Sequence, residues 1–208
     1  LSAWQKKRKN NVYRMNRSLF NFLVLLSAIF LIVSCGKKQS LKFEYSDKTL
    51  DISCDQIDST LIKEALFSFE EDITKKYTTE FYDTRNAYRK YIYYGMSGKA
   101  PYGEMVSPHT LEIMEQLKNI EGLWLPGNDK SVLNYNHPFV SCLLENISNS
   151  GLKATISSLK SVNALSPTIL ERRVRNVINE AGKDKYLAIY IALDSYYGRL
   201  YDLPEKTE

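Results

Sequence analysis

Apolar residues fall along this chain in three successive patterns, and each predicts a different structure. The first is a continuous run. Residues 19–33, LFNFLVLLSAIFLIV, are apolar apart from Asn21 and Ser27. The second is alternation. Leu41, Phe43 and Tyr45 alternate with Lys42 and Glu44, and Leu50, Ile52 and Cys54 alternate with Asp51 and Ser53. Two period-2 segments around Ser46-Asp47-Lys48 predict a short β-hairpin with one apolar face, which needs other elements to pack on.

From Asp58 onward the spacing changes to three and four residues, the signature of amphipathic helices. Asp58 and Ser59 supply a cap, followed by the stripe Ile62, Ala65, Leu66, Phe69, Ile73 and Tyr77. A second helix is expected over about residues 79–94. It carries Phe81, Tyr82, Tyr88, Tyr91, Ile92 and Tyr94 and stops at Gly95. GMSGKAPYGE then reads as a loop. Ser107-Pro108, Asn136-His137-Pro138 and Ser166-Pro167 each place a proline at a helix start. Gly122, Gly151 and Gly182 mark breaks, and a last helix is expected over about residues 183–202 with Tyr186, Ile189, Tyr190, Leu193, Tyr197 and Leu200 on a broad stripe. The prediction is a mainly α protein: about seven helices in a bundle of antiparallel neighbours joined by short turns, preceded by the hairpin. The segments 138–163 and 166–202 have the lengths of α-hairpin repeats but share no residue pattern, so a solenoid is the lesser alternative.

The opening run is too short to span a bilayer comfortably. Fifteen helical residues rise about 22 Å, against a hydrocarbon core of roughly 30 Å. A basic flank before a run of this length is the design of a secretory signal. The run ends in Ile32-Val33-Ser34-Cys35, followed by Gly36-Lys37-Lys38. This resembles the lipobox of bacterial lipoproteins, in which an aliphatic and a small residue precede a cysteine. The resemblance covers only about residues 15–36. It implies cleavage before Cys35, a diacylglycerol thioether on its sulfur and acylation of the new N-terminus. Two or more chains hold a protein stably on a membrane where one holds it marginally. An uncleaved signal anchor is the alternative. Residues 1–14 are longer than such a signal needs, and translation is expected to begin at Met15. The organisation expected is a signal peptide over 1–34, a lipid-anchored tether over 35–40 (GKKQS after the cysteine) and a single mainly helical domain over 41–208. Gly36 departs from the aspartate that marks inner-membrane retention in some groups, and GKKQS lacks the acidic run that marks surface export in others. The resemblance therefore implies a cell-membrane or outer-membrane anchor, with the domain in the periplasm or outside the cell.

Charge separates along the same boundary. The chain carries 28 Lys and Arg against 24 Asp and Glu. Six of the basic residues and none of the acidic ones lie before Cys35, so the remainder has 22 against 24. A slightly acidic domain offers no basis for nucleic-acid binding. The apolar content of the whole chain, 44%, is that of a globular protein.

Candidate chemistry is sparse. His109 and His137 sit beside prolines, and no metal-ligand spacing accompanies them, so neither a metal nor a cofactor is expected. Glu112 and Glu115, and Arg172 and Arg175 in ERRVR, lie one turn apart and read as solvated helix faces. Cys54 and Cys142 occupy apolar positions and are expected as buried thiols, with a disulfide the alternative that an oxidising compartment allows. Of fifteen tyrosines, fourteen follow Cys35, most densely in AYRKYIYYG and DSYYGRLYD. They read first as residues at the core boundary with hydroxyls reaching water, and second as a sugar- or protein-binding surface. YYGMSGKAPYGE supplies the binding candidates Tyr94, Lys99 and Tyr102 on a mobile loop, against the plainer reading of an ordinary linker. No G-x-S-x-G elbow is present. The function expected is a membrane-anchored envelope lipoprotein acting as a non-enzymatic binding or scaffold module, its partners being the membrane and envelope proteins or glycans. The alternatives are an anchored hydrolase or transferase of envelope polymers with a dispersed active site, and a purely structural or host-facing surface protein.

Overall fold

A computed structural model of the chain describes residues 41–79, 83–125 and 132–201. Residues 1–40, on which the expected signal peptide, Cys35 and the expected tether fall, lie outside the described residues. The domain is mainly helical. In chain order its helices are α1 (Ser59–Tyr77), α2 (Thr84–Tyr94), α3 (Tyr102–Met105), α4 (Pro108–Lys118), α5 (Pro138–Asn146), α6 (Ser150–Ser161), α7 (Pro167–Asn176) and α8 (Lys185–Ile191). The last continues through a π-helical stretch (Ala192–Tyr197) into a final turn, α9 (Gly198–Leu200). Between α4 and α5, β1 (Trp124–Leu125) pairs antiparallel with β2 (Val132–Leu133), Trp124 opposite Leu133. Among the described residues no helix is long and apolar enough to cross a membrane.

Helix starts follow the sequence closely because side chains satisfy the first free amides. Asp58 accepts from Thr60 N, Asp83 from Asn86 N, Ser107 from Thr110 N and Asn149 from Leu152 N. His137 uses Nδ1 to accept from Phe139 N, and partial burial lowers the pKa of its ring, which suits an unprotonated acceptor. Asp184 caps α8 through Tyr186 N and Leu187 N, and its other oxygen accepts from Ser148 N at 2.6 Å. That cap thus also fastens the α5–α6 connection to the start of α8.

The core is organised around α8. Every residue from Leu187 to Leu193 is buried, so this helix is enclosed on all sides rather than along the one stripe expected. It packs on α5 (Phe139, Val140, Leu143, Leu144) and on α1 (Ile62, Leu66, Phe69, Ile73). α1 in turn carries α2 and α4. Five tyrosines are core residues, while Tyr45, Tyr77, Tyr102, Tyr135, Tyr186 and Tyr201 sit half-buried at the core boundary, as expected. Tyr88, Tyr91, Tyr190, Tyr196 and Tyr197 are among the largest fully buried side chains. Phe69 meets Tyr91 at 5.0 Å and Tyr196 at 5.1 Å between ring centroids. Buried phenols need partners: Tyr196 donates to Asp72 at 2.6 Å, Tyr197 to the Ala65 carbonyl at 3.0 Å and Tyr88 to Glu70 at 3.0 Å.

Two expectations are corrected. Residues 41–54 form no strand. The turn is present, with Lys48 N donating to Tyr45 O at 3.0 Å, but its two arms diverge. The first arm is held by the buried Glu64 carboxylate, which accepts from Glu44 N (2.9 Å) and Tyr45 N (2.8 Å) and also meets His109 Nε2 at 2.9 Å. The second arm runs to α8, where Ser53 N donates to the Tyr186 hydroxyl at 3.0 Å. A side-chain carboxylate has taken the place of a partner strand. The second correction is that Cys54 and Cys142 are joined in a disulfide, with Cα atoms 5.8 Å apart and a separation of 88 positions in sequence. Both positions are apolar, as expected, but the second arm lays Cys54 against α5, where the two sulfurs meet.

Candidate functional site

The segment singled out as a binding loop is more ordered than a free loop. Gly95 N bonds to Tyr91 O, Gly98 N to Gly95 O (2.8 Å) and Lys99 N to Tyr94 O (2.9 Å), so the chain coils on itself after α2. Met96 and Ala100 are buried. Gly98 takes a φ of 75°, the left-handed conformation that glycine adopts without cost. Tyr102 faces inward, and its hydroxyl donates to Ser195 O (3.1 Å) and Gly95 O (3.2 Å). Tyr94 and Lys99 remain at the surface. Tyr94 stacks on Tyr77 at 6.2 Å, and Tyr77 carries a buried hydroxyl without a hydrogen-bond partner among the described residues. Burial raises that phenol to about 12. The structure therefore keeps Tyr94 and Lys99 together at the C-terminal end of α2 and turns Tyr102 into a packing residue.

A second location was not anticipated. The π-helical stretch places Asp194 between two phenols, with Tyr135 donating to Oδ1 at 2.8 Å and Tyr190 to Oδ2 at 3.2 Å. Inserted π turns recur at functional positions in helices. Burial lifts the Asp194 carboxyl from its ordinary 3.8 to about 6. The two tyrosine bonds and the Arg199 guanidinium pull it back, and Glu171 adds a smaller push upward. Burial and the Asp194 charge together hold Tyr135 and Tyr190 well above the ordinary phenol range, so both remain donors.

Tyr135 also lines a cavity of about 240 Å³. Leu125, Leu133, Leu165 and Pro167 give it apolar lining, and Asn134, Asn136, Asn163 and Lys160 give it polar lining. Asn134 is occupied by the Gly122 carbonyl and Asn136 N, and Lys160 by Ser141 and Glu145. Asn136 and Asn163 are exposed. The arrangement suits a small polar ligand bound by amides and apolar side chains. The sequence carried one signal for it, an aspartate directly after the apolar run Tyr186–Leu193.

The remaining polar clusters are structural. Asp72 accepts from Thr110 Oγ1 (2.5 Å), Tyr196 (2.6 Å) and Ser107 N (3.2 Å), which pins the start of α4 to α1. Glu64 holds the first arm. Ser195 donates to the Ile191 carbonyl at 2.7 Å and lies 3.2 Å from the Tyr91 hydroxyl, an arrangement that lacks a base to activate it. Among the described residues, no three of His, Cys, Asp and Glu are grouped to hold a metal ion. Comparison with known proteins finds no matching family model, no matching curated protein and no matching solved structure.

Proposed function

We propose that the chain is a lipid-anchored protein of the bacterial envelope, tethered through Cys35, whose domain from residue 41 onward acts as a non-enzymatic binding or scaffold module. As part of this reading, its helices form a bundle of antiparallel neighbours closed around α8, in keeping with the short connections between α5, α6 and α7. The observation that carries the proposal is the distribution of the three cysteines. Cys54 and Cys142 are joined, and structural disulfides belong to oxidising compartments outside the cytosol. The third cysteine is Cys35, at the seam between the apolar run and the polar tether. A disulfide and a lipobox register are independent features of the chain, and both fit export.

The test is metabolic labelling with a fatty-acid analogue in a bacterial host. The native chain should carry label and sediment with membranes. Cys35→Ser should lose the label and accumulate as unprocessed precursor, while its Cys54–Cys142 disulfide stays intact. Equal labelling of the two chains would end the proposal.

A further inference from the structure

Positive charge is unevenly placed on this slightly acidic domain. Residues 41–72 contain nine acidic and three basic residues, whereas residues 84–103 contain Arg85, Arg89, Lys90 and Lys99 and no acidic residue. On α2, Arg85, Arg89 and Tyr93 follow one another at intervals of four, so they form one row about 12 Å long. The segment 167–183 flanks that row. At one end a methyl on Gly182 would stand 3.9 Å from the Arg85 Cα, and at the other the Arg175 guanidinium lies 5.9 Å over the Tyr93 ring. Arg172, one turn before Arg175, is exposed.

Arg175 is paired with Glu171 at 2.8 Å. Arg85, Arg89 and Arg172 have no salt-bridge partner among the described residues, unlike Lys76, Lys118, Lys160 and Lys185. Tyr93 is the most exposed aromatic residue described, at 64%, and Tyr94, at 44%, meets it edge-on at 5.0 Å. The other exposed large apolar side chains, Phe43, Leu111, Leu125 and Val162, belong to other segments. This face thus presents three guanidiniums without a salt-bridge partner among the described residues and two amphipathic rings, with no large exposed aliphatic side chain from α2 or α7.

We propose that this face binds an acidic polysaccharide of the cell envelope. Guanidiniums recognise carboxylate or phosphate groups through directed, charge-assisted hydrogen bonds. Exposed tyrosine rings offer flat apolar surface to the C–H faces of sugars while their hydroxyls stay wet. A peptide or an acyl chain would call for an apolar depression to bury side chains or methylenes, and these residues supply none. The choice of an envelope polymer rather than a nucleic acid rests on the exported location proposed above.

The test uses the full chain in detergent micelles, with polygalacturonate as the probe. Neutral dextran, polyglutamate and phosphatidylglycerol mixed micelles are the comparison arms. Polygalacturonate should bind in a salt-sensitive manner and dextran should not. The triple variant Arg85→Gln, Arg89→Gln, Arg172→Gln should bind about tenfold more weakly, the sum of several modest exposed charge contacts. Tyr93→Ser should also weaken binding with all arginines in place. All four positions are exposed, so the thermal melts should match that of the native chain. The proposal is overturned if polygalacturonate does not bind, if dextran binds equally or if the triple variant keeps its affinity. It is also overturned if polyglutamate binds equally and is indifferent to Tyr93→Ser, or if anionic lipid is preferred. None of these readings depends on acylation of Cys35, so the assay and the labelling experiment fail separately.

Discussion

Tyr135 reaches Asp194 across 59 residues of chain, and the 2.8 Å bond between them ties the wall of the cavity to the buried C-terminal helix. Because the carboxyl titrates near 6, protonation inside the core is coupled to a surface that a ligand can reach.

That coupling gives a pH dependence of defined sign. With a native pKa of about 6 against 3.8 when unfolded, the folded chain holds a proton that the unfolded chain releases between those values. The contribution is therefore favourable in acid, declines as pH rises from about 4 to about 6 and stays lost above that, a change of about 3 kcal/mol for a shift of roughly two units. Asp194→Asn removes the titration. Urea unfolding at about pH 4 and about pH 7 should show the native chain losing stability relative to the variant as pH rises. Parallel curves for the two proteins would refute the assignment.

Reduction of the disulfide should be costly. Closing a loop of this length restricts the unfolded chain by about 4–5 kcal/mol in the chain-entropy model. Denaturation with and without a thiol reductant should differ by a few kcal/mol in the native protein, an amount of the order expected for removing a native disulfide. A Cys54→Ser, Cys142→Ser double variant should match the reduced protein and ignore the reductant. A native chain indifferent to reductant would mean that the bridge does not form.

The loop after α2 should divide into two kinds of position. Lys99→Ala alters an exposed side chain and should change stability by less than about 0.5 kcal/mol. Tyr102→Phe strips a donor from the Ser195 and Gly95 carbonyls and should cost about 1 kcal/mol. Tyr102→Ala also removes the ring packed 6.1 Å from Tyr196 and should cost about 3 kcal/mol or more. Thermal or urea melts of the three variants decide the matter, and equal effects at both positions would contradict the observed packing.

Glu64 should govern the N-terminal arm. Glu64→Ala leaves Glu44 N, Tyr45 N and His109 without their shared acceptor. Limited proteolysis should then cut within residues 41–48 under conditions that leave the native chain whole. Unchanged resistance would show that apolar contacts of Leu41 suffice to hold the arm.

Much of the helical layout was legible because caps are local chemistry. Asp58, Ser107 and His137 announce helix starts by capping amides only two or three residues away, and at Ser166-Pro167 the proline at the first helical position does so without a side-chain cap. What was not legible depended on partners distant in sequence. The alternation over 41–54 marks extended chain, but it does not reveal that Glu64, about twenty residues on, supplies the acceptor in place of a strand. The apolar positions of Cys54 and Cys142 fit a buried thiol and a buried disulfide equally well. The cavity was hidden because Tyr135 and Asp194 belong to separate elements. DSYY drew attention for its rings, whereas the informative residue was the acid.

The enclosed helix α8 has a consequence for the order in which this chain can be built. Ribosomal synthesis runs from the N-terminus at about 5–20 residues per second, and early elements generally begin folding as they emerge. Here the element at the centre is made after the helices that pack on it. α5 comes out with an apolar face whose principal cover, Leu187 to Leu193, has yet to be synthesised, and α1 emerges without its contact to the same segment. The Cys54 and Cys142 thiols are both available before that cover arrives. A nascent chain of this protein is therefore a shell waiting for its axis. A stop codon even slightly ahead of Lys185 would remove the enclosed helix while leaving in place every helix that packs on it.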